Sequence, residues 1–170
     1  MATKEHRSGP SDVRLQATAV VSGTFLAGAM TGLSLIAIPV LVDINPDPAH
    51  LVRQWARLYG YGIQYIPAGA IGTTLFYGLA ATTNARSGRP WRIYVLAAAA
   101  TMSIVPFTWI VMAPTNNLLF GLNSMAGGAK DLAEVHGLIW KWRWLHVVRS
   151  LPPLLGAVLG LTGTLEEVSA

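Results

Sequence analysis

The chain has 170 residues, of which 52% are hydrophobic and only 12% are charged, and its mean hydropathy is +0.46. This composition is typical of a membrane protein and leaves no room for a separate soluble catalytic module. The absence of cysteine excludes disulfides, thiolate catalysis and iron–sulfur clusters. The net charge of +4 does not indicate nucleic-acid binding, because the basic residues show no continuous stripe. We expect the lipid bilayer, and no nucleic acid, as a partner.

Four apolar stretches, each about long enough to cross a bilayer, cover residues 16–42, 58–82, 94–112 and 147–165. They predict an all-α fold, a four-transmembrane-helix bundle that forms a multi-pass integral membrane protein. We expect residues 13–166 to form this domain, between a polar N-terminal tail (1–12) and a C-terminal tail (167–170). The third loop, residues 116–141, contains a segment at 130–140 that is expected to form a short interfacial helix.

Chain topology predicts that most polar side chains collect at one face of the bundle. With four consecutive spans, the start of helix two, the end of helix three and the start of helix four emerge together. Helix two brings Tyr61, Gln64 and Tyr65, which share a helix face by their i, i+3, i+4 spacing. Helix three is expected to end at a turn that contains Asn116 and Asn117. The opposite half is expected to be aliphatic and without groups for acid–base work.

Helix four carries a single stripe of chemically distinct residues. Their spacings of four, three, four, three and four place them on one side of a helix: Trp142, His146, Arg149, Pro153, Gly156 and Gly160. The two glycines form a small-xxx-small pair, which lets a neighbouring helix approach closely. The stripe should therefore face protein, so that the imidazole and the guanidinium point inward rather than at lipid.

Several segments together resemble a known family. They are the run 28–41 (GAMTGLSLIAIPVL), Gln54-Trp55 followed by Tyr59, the Pro114-Thr-Asn-Asn117 segment, and Trp142 with Leu145, His146, Arg149 and 156–160. They resemble the anthrone oxygenase-like family of small four-helix integral membrane proteins. The resemblance implies a monooxygenase that oxidises a polyketide anthrone to an anthraquinone. It implies dioxygen as co-substrate, no organic cofactor, and, for a fungal member, an endoplasmic reticulum or vesicle membrane.

For that reaction the polar residues receive specific expected roles. His146 is the expected base for the central methylene, because imidazole changes protonation near neutral pH, although the family pattern often has asparagine at its position. Arg149 and Asn117 are expected to stabilise the oxyanion. A planar aromatic substrate is expected to bind against the following side chains: Trp142, Tyr61, Gln64, Tyr65 and Asn116.

Other interpretations remain open at this point. Tryptophans such as Trp55 are more often interfacial anchors than parts of a site, and Arg149 could simply tie helix four to a carbonyl group. His50, His136 and His146 share one face, but no metal-binding spacing is present, so no residue is assigned as a metal ligand and a metal is not excluded. A non-catalytic scaffold or assembly protein is the alternative function, and a homo-oligomer is an open expectation.

Overall fold

The computed structural model describes residues 9–124 and 131–169, and within them it contains four long helices and no strand. They are α1 (Pro10–Ile44), α2 (Pro48–Arg86), α3 (Arg92–Ser124) and α4 (Leu132–Ser169). The all-α prediction is therefore confirmed. Three of the helices, α1, α3 and α4, are long and apolar enough to cross a membrane. α2 is not among them, because glycine, threonine, tyrosine and Gln64 dilute its aliphatic residues.

The boundaries of the third connection differ from the sequence prediction. α3 does not end at Pro114 but continues to Ser124, so the predicted turn is wrong. Pro114 occupies the second position of the segment Ala113–Ser124, directly after the π-helical segment Thr108–Met112, whose wider turn accommodates the proline ring. Residues 132–140 form the start of α4 rather than a separate interfacial helix, and residues 125–130 lie outside the described chain. Residues 167–169 of the predicted tail also belong to α4.

The chain divides into two compact units, and each is described by itself. The first unit contains the residues up to Ala27, Ala68–Ser103 and the residues from Leu151 on; the second contains Gly28–Pro67 and Ile104–Ser150. The core of the first unit consists of small residues around two buried tyrosines, Tyr77 and Tyr94. Here a Cβ on Gly156 would lie 2.8 Å from the carbonyl oxygen of Ala97. The glycine end of the predicted stripe therefore faces protein.

The first unit also contains a buried polar cluster, which corrects the expectation that this half would be bland. The Glu167 carboxylate accepts hydrogen bonds from Asn84, from the Gln16 amide at 3.0 Å and from the Tyr94 hydroxyl at 3.0 Å. Arg89 lies 3.7 Å from this carboxylate and 2.6 Å from that of Asp12. The sequence did not predict this cluster, because its polar residues are isolated at the ends of apolar stretches and far apart in the chain.

The second unit is built around a fully buried tryptophan, Trp55. Its ring lies 5.4, 5.0 and 5.9 Å from the rings of Tyr59, Phe120 and Trp142, in tilted or edge-to-face arrangements that stabilise aromatic pairs. Trp55 is thus a core residue and not an interfacial anchor.

The close approach at Gly156 generates a stability prediction. Gly156→Ala should lower the stability of the protein by about 1–3 kcal/mol, although alanine normally favours a helix over glycine. The reason is that the new Cβ would meet a backbone oxygen, which cannot rotate away. Thermal unfolding in detergent, followed by circular dichroism, measures the effect. Gly72→Ala is the matched control, since nothing lies within 4 Å of its Cβ position; equal midpoints for the two variants would contradict the packing.

Candidate active site

The candidate site of the second unit is centred on two buried side chains of α4. His146 is 1% exposed and Arg149 is 9% exposed. The Nη2 atom of Arg149 lies 2.7 Å from Nε2 of His146, and its Nη1 atom donates a hydrogen bond of 2.9 Å to Thr108 Oγ1. Thr108 in turn donates to the carbonyl oxygen of Ile104 at 2.6 Å. The structure therefore brings together the imidazole and the guanidinium that the stripe predicted.

The hydrogen bonds around His146 assign the position of its proton. Ser34 Oγ lies 2.8 Å from Nδ1 of His146 and donates its own hydrogen to the carbonyl oxygen of Met30 at 3.0 Å. Since that hydrogen is used, Ser34 accepts the Nδ1–H of the imidazole. Nε2 then carries a lone pair, which accepts an N–H from Arg149. The only lone pair of the neutral imidazole is thus already engaged by the guanidinium.

Two residues that hydrogen-bond to His146 and Arg149 lie in π-helical segments. Ser34 lies in Leu33–Ala37, and Thr108 begins Thr108–Met112. Such wide turns are frequent at functional sites. Arg143 holds the first of them, because its Nε donates a hydrogen bond of 2.9 Å to the carbonyl oxygen of Ser34. The sequence did not predict Ser34 and Thr108, since a wide turn leaves no signal in a pattern read at 3.6 residues per turn. It did not predict Arg143, because its contact with Ser34 joins residues far apart in the chain.

His146 and Arg149 line a cavity of about 310 Å³, within the range of small-molecule sites. All four helices contribute to its mostly apolar wall, which consists of Leu33, Leu58, Tyr59, Gly62, Ile63, Ile66, Pro67, Ile104, Val105, Thr108, Trp109, Trp142, His146 and Arg149. Among the lining residues, Ile63 is 58% exposed and Trp109 is 75% exposed. The cavity therefore extends from an exposed apolar surface to a buried polar wall.

Arg149 has no acidic partner within the described parts of the chain, since none of the ion pairs there involves it. Its buried Nε also has no hydrogen-bond partner among these described residues. A buried charge is costly unless it is paired. The guanidinium can therefore serve as a binding group for an anionic oxygen that enters the cavity.

Trp142 lies beside this pair but is not a free platform for a substrate. Its ring stacks on the His146 imidazole with centroids 4.7 Å apart, and its Nε1 donates a hydrogen bond of 2.9 Å to Asn116 Oδ1. Trp142 lines the cavity, whereas the buried Asn116 does not. Asn116 thus fixes the tryptophan that packs on the imidazole.

The other predicted site residues lie elsewhere. Asn117 is exposed and does not line the cavity, because one residue along α3 rotates a side chain by about 100° relative to Asn116. Tyr61, Gln64 and Tyr65 are also exposed, so their predicted inward orientation is wrong. The interior is occupied instead by the adjacent stripe of α2, formed by Trp55, Tyr59, Gly62 and Ile66.

Comparison with known proteins identifies the family. The sequence model of the anthrone oxygenase family matches residues 55–159, which include the cavity-lining part of α4. The chain belongs to this family. The oxygenase has no match among solved structures.

Several named relatives cover most of the oxygenase. The anthrone oxygenase AgnL2 of Paecilomyces divaricatus is 47% identical over 158 residues, covering 90% of this chain and 96% of the relative. The anthrone oxygenase nsrD of Aspergillus novofumigatus is 50% identical over 155 residues, covering 91% and 95%. The noranthrone monooxygenase of Aspergillus flavus is 41% identical over 148 residues, covering 85% and 70%. These names support an enzyme rather than a non-catalytic scaffold.

The three histidines in the described part of the chain, His50, His136 and His146, do not form a metal site. Within residues 9–124 and 131–169, no group of three or more histidine, aspartate or glutamate side chains is placed to hold a metal ion. The His50 ring instead lies 2.8 Å from the amide nitrogen of Gln54, and His146 contacts Ser34 and Arg149.

The contrast between neighbouring asparagines generates a prediction. Asn116→Ala should destabilise the oxygenase by about 1–3 kcal/mol, because it leaves the buried Nε1–H of Trp142 without an acceptor. Asn117→Ala is the matched control and should be close to neutral, since its side chain is exposed. Thermal midpoints of the two variants in detergent provide the comparison. A larger fall in the thermal midpoint for Asn117→Ala than for Asn116→Ala would contradict the placement of both residues.

Proposed function

We propose that the oxygenase converts a planar polyketide anthrone to an anthraquinone with dioxygen, and that Arg149 stabilises the oxyanion of the substrate. The names of the relatives supply the substrate class. The observation that carries the proposal is a buried guanidinium, without a carboxylate partner among the described residues, at the wall of a mostly apolar cavity. Such a wall suits an aromatic molecule that develops negative charge on one oxygen.

The proposed reaction begins with removal of a proton from the central methylene, which lies across the ring from the ketone. The resulting anion is electron-rich and passes an electron to dioxygen. Recombination at the same carbon gives a peroxide anion, which takes back the proton removed in the first step and becomes a hydroperoxide; loss of water from it leaves the second carbonyl. One anthrone and one dioxygen thus give one quinone and one water. Dioxygen is the co-substrate, and no organic cofactor enters this sequence.

His146 is the base in this proposal, but its lone pair must first be released from the hydrogen bond with Arg149. Its Nε2 lone pair is engaged by Arg149 at 2.7 Å. A substrate oxygen that takes over the guanidinium N–H would free Nε2 to accept the methylene proton. Ser34 would hold the other ring nitrogen and so keep the tautomer in which Nε2 carries the lone pair. Substrate binding and activation of the base are thereby coupled.

The substrate is proposed to reach the cavity from an apolar environment. The exposed lining residues Ile63 and Trp109 belong to α2 and α3, and both are hydrophobic. The deep lining residues His146 and Arg149 are buried. A lipid-dissolved aromatic molecule could therefore move from the bilayer to the polar wall without crossing water. This supports the lipid bilayer as a partner of the oxygenase.

Replacement of Arg149 tests the proposal. Arg149→Gln should lower kcat/KM for quinone formation by about 10²–10³, the effect of removing one donor from an oxyanion site. The assay is the absorbance of quinone formed from an anthrone by purified protein in detergent under air. Arg149→Lys should retain more activity than Arg149→Gln, because it keeps the positive charge.

The control for this test is Arg92→Gln, which removes an exposed arginine that lies over the Trp91 ring. Its activity should match the wild type. If folded Arg149→Gln protein kept wild-type kcat/KM, the role assigned to the guanidinium would be wrong. If the wild type itself formed quinone only at the uncatalysed rate, the anthrone would not be its substrate.

A further inference from the structure

A second cavity, of about 460 Å³, is open to the surface and shares none of the lining residues of the substrate cavity. Its lining residues in the described parts of the chain, six from α2 and one from α3, are Arg53, Ala56, Arg57, Gly60, Tyr61, Gln64 and Asn123. The residues of α2 recur at spacings that keep them on one side of the helix. The cavity is thus bounded by a stripe of α2 and by the end of α3.

Among the described residues, the lining of this cavity is rich in hydrogen-bond donors and contains no carboxylate. Two guanidinium groups, a phenol and two carboxamides contribute N–H or O–H groups. Arg53 makes only a long contact of 3.9 Å with Asp47, and both side chains are largely exposed. Arg57 makes no ion pair within the described parts of the chain. Among the described lining residues the cavity therefore carries two positive charges, of which only that of Arg53 has an acidic contact.

The position of the cavity along the helices indicates the environment of its ligand. Arg53 and Arg57 lie in the first three turns of α2, before most of its apolar stretch. Asn123 is the next-to-last residue of α3, which is one of the helices apolar enough to cross a membrane. Basic residues are common at the ends of membrane-crossing helices, at the level of lipid headgroups. Gly60 leaves the space open, since no atom of the described residues lies within 4 Å of its Cβ position.

We propose that this second cavity binds a phosphate group. Paired guanidinium groups suit phosphate oxygens, and amide and phenol donors can complete the contacts. At the level of the headgroups the source would be an anionic phospholipid, whose headgroup attracts basic residues; free phosphate has the same chemistry. The proposal does not depend on the oxygenase reaction, because the two cavities have separate linings.

Lipid retention tests the proposal directly. The full chain is reconstituted with equal amounts of phosphatidylcholine and phosphatidic acid, and native mass spectrometry counts the lipids that stay bound. The wild type should retain phosphatidic acid preferentially. Removing each arginine, in Arg53→Gln and Arg57→Gln, should lower that retention by about five-fold. Arg86→Gln, at the exposed end of α2 and outside the cavity, is the matched control and should change nothing.

Two further experiments, a cavity-filling variant and a competition with phosphate, distinguish the possible results. Gly60→Leu fills the cavity without changing its charge, and it should also abolish preferential retention. Retention that an excess of inorganic phosphate does not compete away assigns the site to a lipid headgroup. Competition, with a higher thermal midpoint in phosphate for the wild type alone, assigns it to free phosphate. Equal retention by wild type and Arg57→Gln, or normal retention by folded Gly60→Leu, would overturn the proposal.

Discussion

The candidate site depends on how the second unit accommodates the buried guanidinium of Arg149. Moving a cation out of water is costly, and in most proteins a carboxylate offsets that cost. Here the oxygen of Thr108 and a ring nitrogen of His146 accept its hydrogen bonds, and neither carries a negative charge. The charge is therefore solvated but not neutralised. This single feature is the basis for the proposal that the guanidinium, at the wall of an apolar cavity and beside the imidazole, binds an oxyanion.

Arg89 in the first unit provides an internal comparison. Its side chain is also largely buried, but it lies 2.6 Å from the Asp12 carboxylate and 3.7 Å from the Glu167 carboxylate. A guanidinium between two carboxylates is neutralised and holds segments of the chain together. The same residue type thus has a structural role at Arg89, whereas Arg149 retains a positive charge toward a cavity. Burial alone does not distinguish the two arginines, but their partners do.

The sequence predicted the inward stripe of helix four because Trp142, His146 and Arg149 repeat at helical spacing and continue into a glycine pair. The spacing of residues did not predict the inward face of α2. It shows that Tyr61 and Tyr65 share a face, but not which face is inward, and aromatic packing around Trp55 decides that. A proline at 114 suggested a helix end, whereas the wide turn before it allows α3 to continue. Ser34 could not be found, because its role arises from a tertiary contact with His146.

The most direct test of the account separates deprotonation from oxygen chemistry. An anthrone whose phenolic oxygens are methylated, so that only the methylene can ionise, is mixed anaerobically with the oxygenase in lipid nanodiscs, and the absorption spectrum of the bound ligand is recorded. Without dioxygen the ligand cannot be oxidised, so the spectrum reports whether its methylene has lost a proton. The account predicts the anion spectrum with wild-type protein and the neutral spectrum with Arg149→Gln at matched occupancy. An anion spectrum of equal intensity with both proteins would contradict it.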